Sequence, residues 1–383
     1  MDKQWLYNFA ARVLPKPNRK ESSLSAFSGP SAKRSAFLEI CTNVLHKHRC
    51  VGANITFFSL DGLMSRVLYG FAALDTPIND DTYFRVASVS KLITALCVMK
   101  LEENSAISIY DDIHDYLPYK LREQPISLKQ LMTHTAGLHD GDSYNRLLGT
   151  GVPVTELINS DNVLPSADKY DWEYSNFGAG QVACVLESML NKSFETIMQE
   201  YLFEPLNISA SFYPQHIGKN IANSYNALPF RKQPELDAKL RVSRSDKGWD
   251  KVEQLQHYTL SQGNCFINAD GLVKIGNAFL EQGYLGSDTL KRMRTPYASF
   301  GKADYRLKQG IGNFIIEDDT IAKYPLYGHQ GYAYGSIFGL YIDTVHNDGM
   351  AFCSSGCSLA RKYVMADINL DIMRIWQNRE LWK

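Results

Sequence analysis

The feature that most constrains this 383-residue chain is the run Leu92, Ile93, Ala95, Leu96, Val98, Met99 and Leu101, apolar at nearly every helical position. A helix without a polar face must be enclosed by other elements, so the chain has to build layers around it. Lys91 stands at the entrance of this run, one turn after Ser88, and helical spacing puts ammonium and hydroxyl on one face. Burial disfavours the charged amine, so the Lys91 pKa is expected to fall and the amine to accept the serine proton. The helix start also presents backbone N–H groups to developing negative charge. The bland alternative is a serine helix cap beside a snorkelling lysine.

The bare Ser-x-x-Lys pattern occurs three times. Ser166 to Lys169 follows Pro165 in an expected loop and Ser299 to Lys302 contains Gly301, so neither suits a rigid helical turn. Only Ser88 follows an extended segment, Tyr83 to Val86, that runs into a buried helix.

Elsewhere the pattern predicts a helix over Ala32 to His48, a strand over Val51 to Leu60, a turn at Asp61-Gly62 and a strand over Ser65 to Phe71. Residues 105–260 read as helical or irregular, including Val182 to Leu190 and Phe194 to Leu202. Strand alternation returns at Gly312 to Glu317, Ser336 to Asp343 and Met350 to Ser354, before a closing helix from about Leu359 to Leu381. The expected fold class is α+β, one antiparallel sheet built from both ends of the chain and flanked by helices, with a mainly helical lobe inserted. The expected units are an N-terminal helix and linker (1–31), a discontinuous α/β lobe (32–104 with 262–383) and the helical lobe (105–261). In the first unit, Trp5, Leu6, Phe9, Ala10, Val13 and Leu14 predict an amphipathic helix over residues 4–14, and Pro15 to Pro30 reads as a linker. The helix is expected to pack on its own protein rather than dock on a membrane surface or partner, because its polar face is not strongly basic.

A net charge of -1 with scattered basic residues excludes nucleic-acid binding by bulk charge. No stretch approaches the roughly 18 apolar residues that span a bilayer. Seven cysteines form no even framework, which favours a reducing compartment. The expected location is cytoplasmic if the start is native, and periplasmic or secreted if a signal was removed.

Tyr174-Ser175-Asn176 lies between helical blocks, and His329-Gln330-Gly331 is expected to precede a strand. With Ser88 and Lys91, these resemble the ordered S-x-x-K, Y-x-N and K/H/W-x-G motifs of the serine β-lactamase and penicillin-binding-protein superfamily. The likeness is to the branch with class C β-lactamases, DD-peptidases, D-aminopeptidases and family VIII esterases. Ile126 to Leu138, ending Thr133-His134-Thr135-Ala136-Gly137-Leu138, resembles the family's T-H-T-S-G-L stretch, whose role is expected to be structural. Phe203 to Leu206 and Asn264 to Leu272 also resemble family landmarks, so the likeness runs from about Ala32 to the last helix.

The resemblance implies a serine hydrolase without cofactor or metal. Ser88 is the expected nucleophile, Lys91 and Tyr174 share the proton work, and Asn176, His329, Gly331 and Tyr332 bind substrate. The backbone N–H groups of Ser88 and Tyr332 are the expected oxyanion hole. Tyr174 becomes a base only beside positive charge, expected from Lys91 and His329. Gly331 is expected to let a substrate backbone lie against the strand edge, and Tyr332 and Tyr334 to rim the site. His329 and Gln330 replace the Lys and Thr or Ser of most β-lactamases, and Tyr170 to Glu173 lacks the usual Pro-Gly. The expected substrate is a small amide, peptide or ester. A D-amino-acid peptidase or carboxypeptidase-like amidase ranks first, an esterase second and a β-lactamase third; the alternative from another class is a silent scaffold or binding protein. Residues 220–258 are expected to set specificity, and a homo-oligomer is left open. His134, His139, Asp140 and Asp142 fit no zinc spacing, and Cys353 and Cys357 read as buried thiols rather than a redox pair.

Overall fold

Strands from the two ends of the chain join in one sheet. The structure is a computed structural model that describes residues 3–165, 171–218, 220–228, 230–232 and 250–383. Its strands include β1 (Ser22–Phe27), β2 (Gly52–Ser59), β3 (Gly62–Ala73), β4 (Tyr83–Arg85), β5 (Ala210–Ser211), β6 (Phe266–Asn268), β7 (Ala298–Ser299), β8 (Leu307–Gln309), β9 (Phe314–Ile316), β10 (Leu326–Ala333), β11 (Ser336–Asp343) and β12 (Asp348–Gly356). The main sheet runs β1-β3-β2-β12-β11-β10-β9-β8-β7, antiparallel throughout, and a small sheet runs β4-β6-β5. The seam is β2 with β12, where Ile55 faces Phe352 and Phe57 faces Met350.

The main helices are α1 (Lys3–Val13), α2 (Arg34–Lys47), α3 (Val89–Glu103), α4 (Leu128–Met132), α5 (Asn176–Leu190), α6 (Ala269–Leu280) and α7 (Asp367–Gln377). Successive strand residues point to opposite faces, so Phe57 packs with Phe37 of α2 and Trp376 of α7, while Phe58 enters the core of α3 and α6. Only Lys100, Glu102 and Glu103 of α3 escape burial, as its all-round apolar pattern requires. Gly62 follows the turn at Asp61 with φ 111°, a conformation open to glycine.

Three expectations are corrected, and a fourth holds with an addition. The Pro15–Pro30 linker contains β1, an edge strand whose Leu24 faces Val67; its serines weaken the strand pattern. The His329 motif lies inside β10, not before a strand, and Gly328, His329, Gln330 and Gly331 interrupt the apolar alternation there. The last helix begins only at Asp367, because Gln330 holds the preceding backbone: its Nε2 donates to the Val364 carbonyl (2.8 Å) and its Oε1 accepts from Ala366 N–H (2.7 Å). Helix α1 does pack on its own protein, but through its polar side. Asn8 Nδ2 donates to the Arg361 carbonyl (2.7 Å), Tyr7 OH accepts from Leu359 N–H (3.0 Å), and Trp5, Leu6, Phe9 and Val13 are exposed.

Among the described residues no helix is long and apolar enough to cross a membrane, and all seven cysteines are free and buried.

Candidate active site

Strand β4 delivers the chain to Ala87, whose φ of 47° bends it into α3. A left-handed alanine costs roughly 1–2 kcal/mol and is held by its surroundings. Here Val86 N–H donates to the Cys265 carbonyl (2.9 Å), and Cys265 N–H donates to Ser90 Oγ (3.0 Å). Ser88 emerges from this elbow half-buried and makes no side-chain capping bond, so the cap reading of this serine fails.

Lys91 does not snorkel: it is 6% exposed, and its Nζ lies 3.1 Å from Ser88 Oγ, 2.7 Å from Asn176 Oδ1 and 2.6 Å from the Gln262 carbonyl. Burial brings its pKa down to about 7, with the Asp140 charge opposing and the Arg85 charge adding to the fall. A neutral amine has two protons to donate and one lone pair. The amide and carbonyl oxygens can only accept, so the lone pair is left for the one partner that carries a proton, Ser88.

Ser88 also acts on the Tyr174 hydroxyl, opposing the rise of its pKa, and Lys91 Nζ sits 4.9 Å from the centre of its ring. Burial pushes the phenol well above its ordinary value, so Tyr174 is protonated at neutral pH. The Thr133–Leu138 loop holds it in place: Glu173 N–H donates to the His134 carbonyl (2.9 Å), Ser175 N–H to His134 Nδ1 (3.2 Å), and the rings of His134 and Tyr174 lie 4.4 Å apart. Asp140, passed over in the sequence as a metal candidate, organises the start of α5. It accepts from Asn176 Nδ2 (2.8 Å) and from Phe177 N–H (2.8 Å). Its legible signal was a carboxylate directly after the recognised loop.

His329 supplies no positive charge, contrary to expectation. Burial and the Lys91 charge bring its pKa down to about 3, Nδ1 lies 2.6 Å from the Gln330 carbonyl, and the ring lies 4.1 Å from Phe314. Gly331 is required first by its own fold, since a Cβ there would lie 2.4 Å from the Val86 carbonyl oxygen. Strand β9 covers β10 only as far as Gly328, leaving residues 329–333 open on that side. Ile337, opposite Tyr332, turns its N–H and carbonyl to Ser354 Oγ, so the Tyr332 N–H points to the open side.

Ser88, Tyr174, Asn176, Gln330 and Tyr332 line a cleft of about 530 Å³. Trp172 stacks on Phe300 at 3.9 Å as its aromatic wall, in place of the absent Pro-Gly. Arg361, 4.6 Å from the Tyr332 ring centre, and Lys362 also line it, and among the described residues no carboxylate does. Tyr334 lies instead 5.1 Å beneath Arg85. Ser299 is in β7 and Gly301 has φ 52°, so that Ser-x-x-Lys is not helical; Ser166 to Lys169 lies outside the described residues. Of the segment 220–258, residues 229 and 233–249 also lie outside them.

Asp140→Asn removes the negative charge that raises the Lys91 pKa. The acidic limb of kcat/KM against pH is expected to move to lower pH, and kcat to fall about tenfold as Asn176 loses its anchor. An unmoved limb would show that the Asp140 charge is not felt at Lys91.

Comparison with known proteins gives the family and the fold. The family described as Beta-lactamase matches residues 42–364. The chain is 23% identical over 225 residues to a putative penicillin-binding protein, PbpX, of Bacillus subtilis (strain 168), covering 58% of this chain and 52% of that protein. It is 27% identical over 242 residues to the teichoic acid D-alanine hydrolase of Staphylococcus aureus (strain NCTC 8325 / PS 47), covering 59% of this chain and 60% of that protein. It thus spans between half and two thirds of these relatives. The D-amino acid amidase from Ochrobactrum anthropi SV3 superposes with a TM-score of 0.69 at 17% identity, over 91% of this chain and 99% of that one, a likeness of fold.

Proposed function

The chain belongs to the beta-lactamase family, and from that premise we propose that it is a serine hydrolase forming an acyl-enzyme on Ser88. The observation that carries the reading is the lone pair of a buried Lys91, near neutral pKa, 3.1 Å from the Ser88 hydroxyl. As Ser88 Oγ attacks a carbonyl carbon, its proton passes to Lys91 Nζ. The oxyanion is met by the backbone N–H groups of Ser88 and Tyr332. Tyr174, protonated, donates to the leaving nitrogen or oxygen and recovers its proton from the Lys91 ammonium. Water then cleaves the ester at Ser88 and restores the hydroxyl. Asn176 fixes Lys91, and neutral His329 fills the wall behind Tyr174.

The substrate class we favour is a small amide or D-peptide, cleaved in the manner of a carboxypeptidase-like amidase. The relatives whose names carry D-alanine or D-amino acid support the D-residue. Arg361 and Lys362 support a substrate that bears a carboxylate over one that bears a free ammonium. An ester hydrolase is the second reading and a β-lactamase the third.

The test is intact-mass and peptide mapping after treatment with a fluorophosphonate, with a single adduct expected on Ser88. An adduct elsewhere, or none in folded protein, would remove the basis of the proposal. A panel of an N-acylated D-alanyl-D-alanine, a D-alanyl anilide, a chromogenic ester and a chromogenic cephalosporin ranks the classes. Fastest turnover of the cephalosporin would overturn the order given, and turnover of the free-amine anilide ahead of the N-acylated dipeptide would overturn the preference for a carboxylate.

A further inference from the structure

We propose that α1 is an interfacial helix that seats the protein on an anionic lipid surface. The helix lies on the body with its amphipathicity inverted. Gln4, Tyr7 and Asn8 turn inward and bond to the backbone of Leu359 and Arg361, which leaves the apolar stripe more than half exposed. Trp5 is 59% exposed, Leu6 59%, Phe9 52% and Val13 58%, and the Trp5 and Phe9 rings stack on each other at 5.9 Å. At 100° per residue these four side chains occupy one arc of about 100°, the width of an apolar face that normally meets a core. An aromatic and aliphatic face with cations at its flank is the composition of a helix lying in the headgroup boundary.

The charges select the occupant. No acidic residue occurs between Lys3 and Lys20, and Arg12 and Lys16 are both exposed. Beside the end of α1 they line a depression of about 420 Å³ together with Lys47 and Arg374. Asp367 and Asp371 line it too, and Asp371 is engaged by Lys47, His48 and Arg374, so Arg12 and Lys16 are cations in excess there. A second copy docking face to face would bring like charges together, whereas a phosphate headgroup neutralises them. Gln4 lines the Ser88 cleft, so the docked helix would hold the cleft beside the lipid surface.

The test uses the whole chain and co-sedimentation with vesicles of phosphatidylcholine containing a third phosphatidylglycerol, against phosphatidylcholine alone. Binding is expected only with phosphatidylglycerol, weakening as salt rises. The double variant Trp5→Glu with Phe9→Glu, and separately Arg12→Glu with Lys16→Glu, should each weaken it about tenfold or more at unchanged Tm. These residues lie outside the catalytic group, so hydrolysis of a soluble ester should persist. Equal binding by wild type and variants, or no binding, overturns the proposal. So does a dimer that the Trp5 and Phe9 variant dissolves, which would assign the face to a second copy. Protection of Trp5 from acrylamide quenching in lipid-free monomer would likewise overturn it, by showing that another part of the chain covers the face.

Discussion

Ser88→Ala is expected to lower kcat/KM by at least about 10⁴ while leaving the fold intact. The loss is large because the hydroxyl is the atom that bonds to substrate; Lys91 and Tyr174 converge on it and have no substitute to activate. The fold is retained for reasons visible at the site. Ser88 Oγ caps no backbone N–H, the side chain is half-buried, and Lys91 keeps two acceptors when Ser88 loses its oxygen. A Tm within a few degrees of wild type together with vanished turnover and vanished phosphonate labelling is the expected pattern. Residual activity within tenfold of wild type would rule out an acyl-enzyme at this serine.

Lys91→Met is expected to lower kcat/KM about 10³-fold and, unusually for an active-site change, to raise stability below neutral pH. The catalytic loss is that of a general base. In wild type the same group gives kcat/KM an acidic limb near pH 7, activity rising as Lys91 loses its proton, and the variant should lack that limb. The stability effect has its own sign. The folded pKa of about 7 is below the unfolded value of 10.5, so between these pH values the unfolded chain binds more protons and wild-type stability rises with pH. Below pH 7 the folded state bears the full cost of a buried ammonium, of order about 5 kcal/mol. Methionine removes that cost, fits an apolar surround, and forfeits donors to Asn176 Oδ1 and the Gln262 carbonyl at about 1–3 kcal/mol each. The Tm advantage should therefore be greatest near pH 6 and shrink or reverse toward pH 10. A gap that is flat with pH would mean that Lys91 is not titrating as a buried amine.

The parts of this site legible in the sequence are those written in local spacing. Ser88 and Lys91 share one helical turn, α3 is apolar all round, and Tyr174 and Asn176 stand two residues apart at the start of α5. What was not legible depends on partners far away in the chain. Asp140 looked like one acid among several until α5 brought Asn176 against it. Gln330 looked like an odd motif residue, yet its amide shapes the backbone from Val364 to Ala366 and with it the wall bearing Arg361 and Tyr363. The charge state of His329 was misjudged because burial among Phe314, Lys91 and Tyr174 cannot be read from its neighbours in sequence. Helix α1 was placed correctly, but which of its faces packs was not legible, since periodicity gives the width of an apolar stripe but not what lies opposite it.

The pairing of β2 with β12 has a bearing on how the protein is made. Strand β2 leaves the ribosome early, and its natural neighbour on that side is the last strand of the sheet. At about 5–20 residues per second, β2 waits on the order of tens of seconds for it. During that interval the β2–β3 hairpin offers an unpaired edge whose residues are all buried in the finished fold, and Ser88 has no wall opposite it. Until β10 to β12 are made, that edge stays open and the cleft lacks the wall that carries Gln330 and Tyr332, so the closing of the seam is also the assembly of the site.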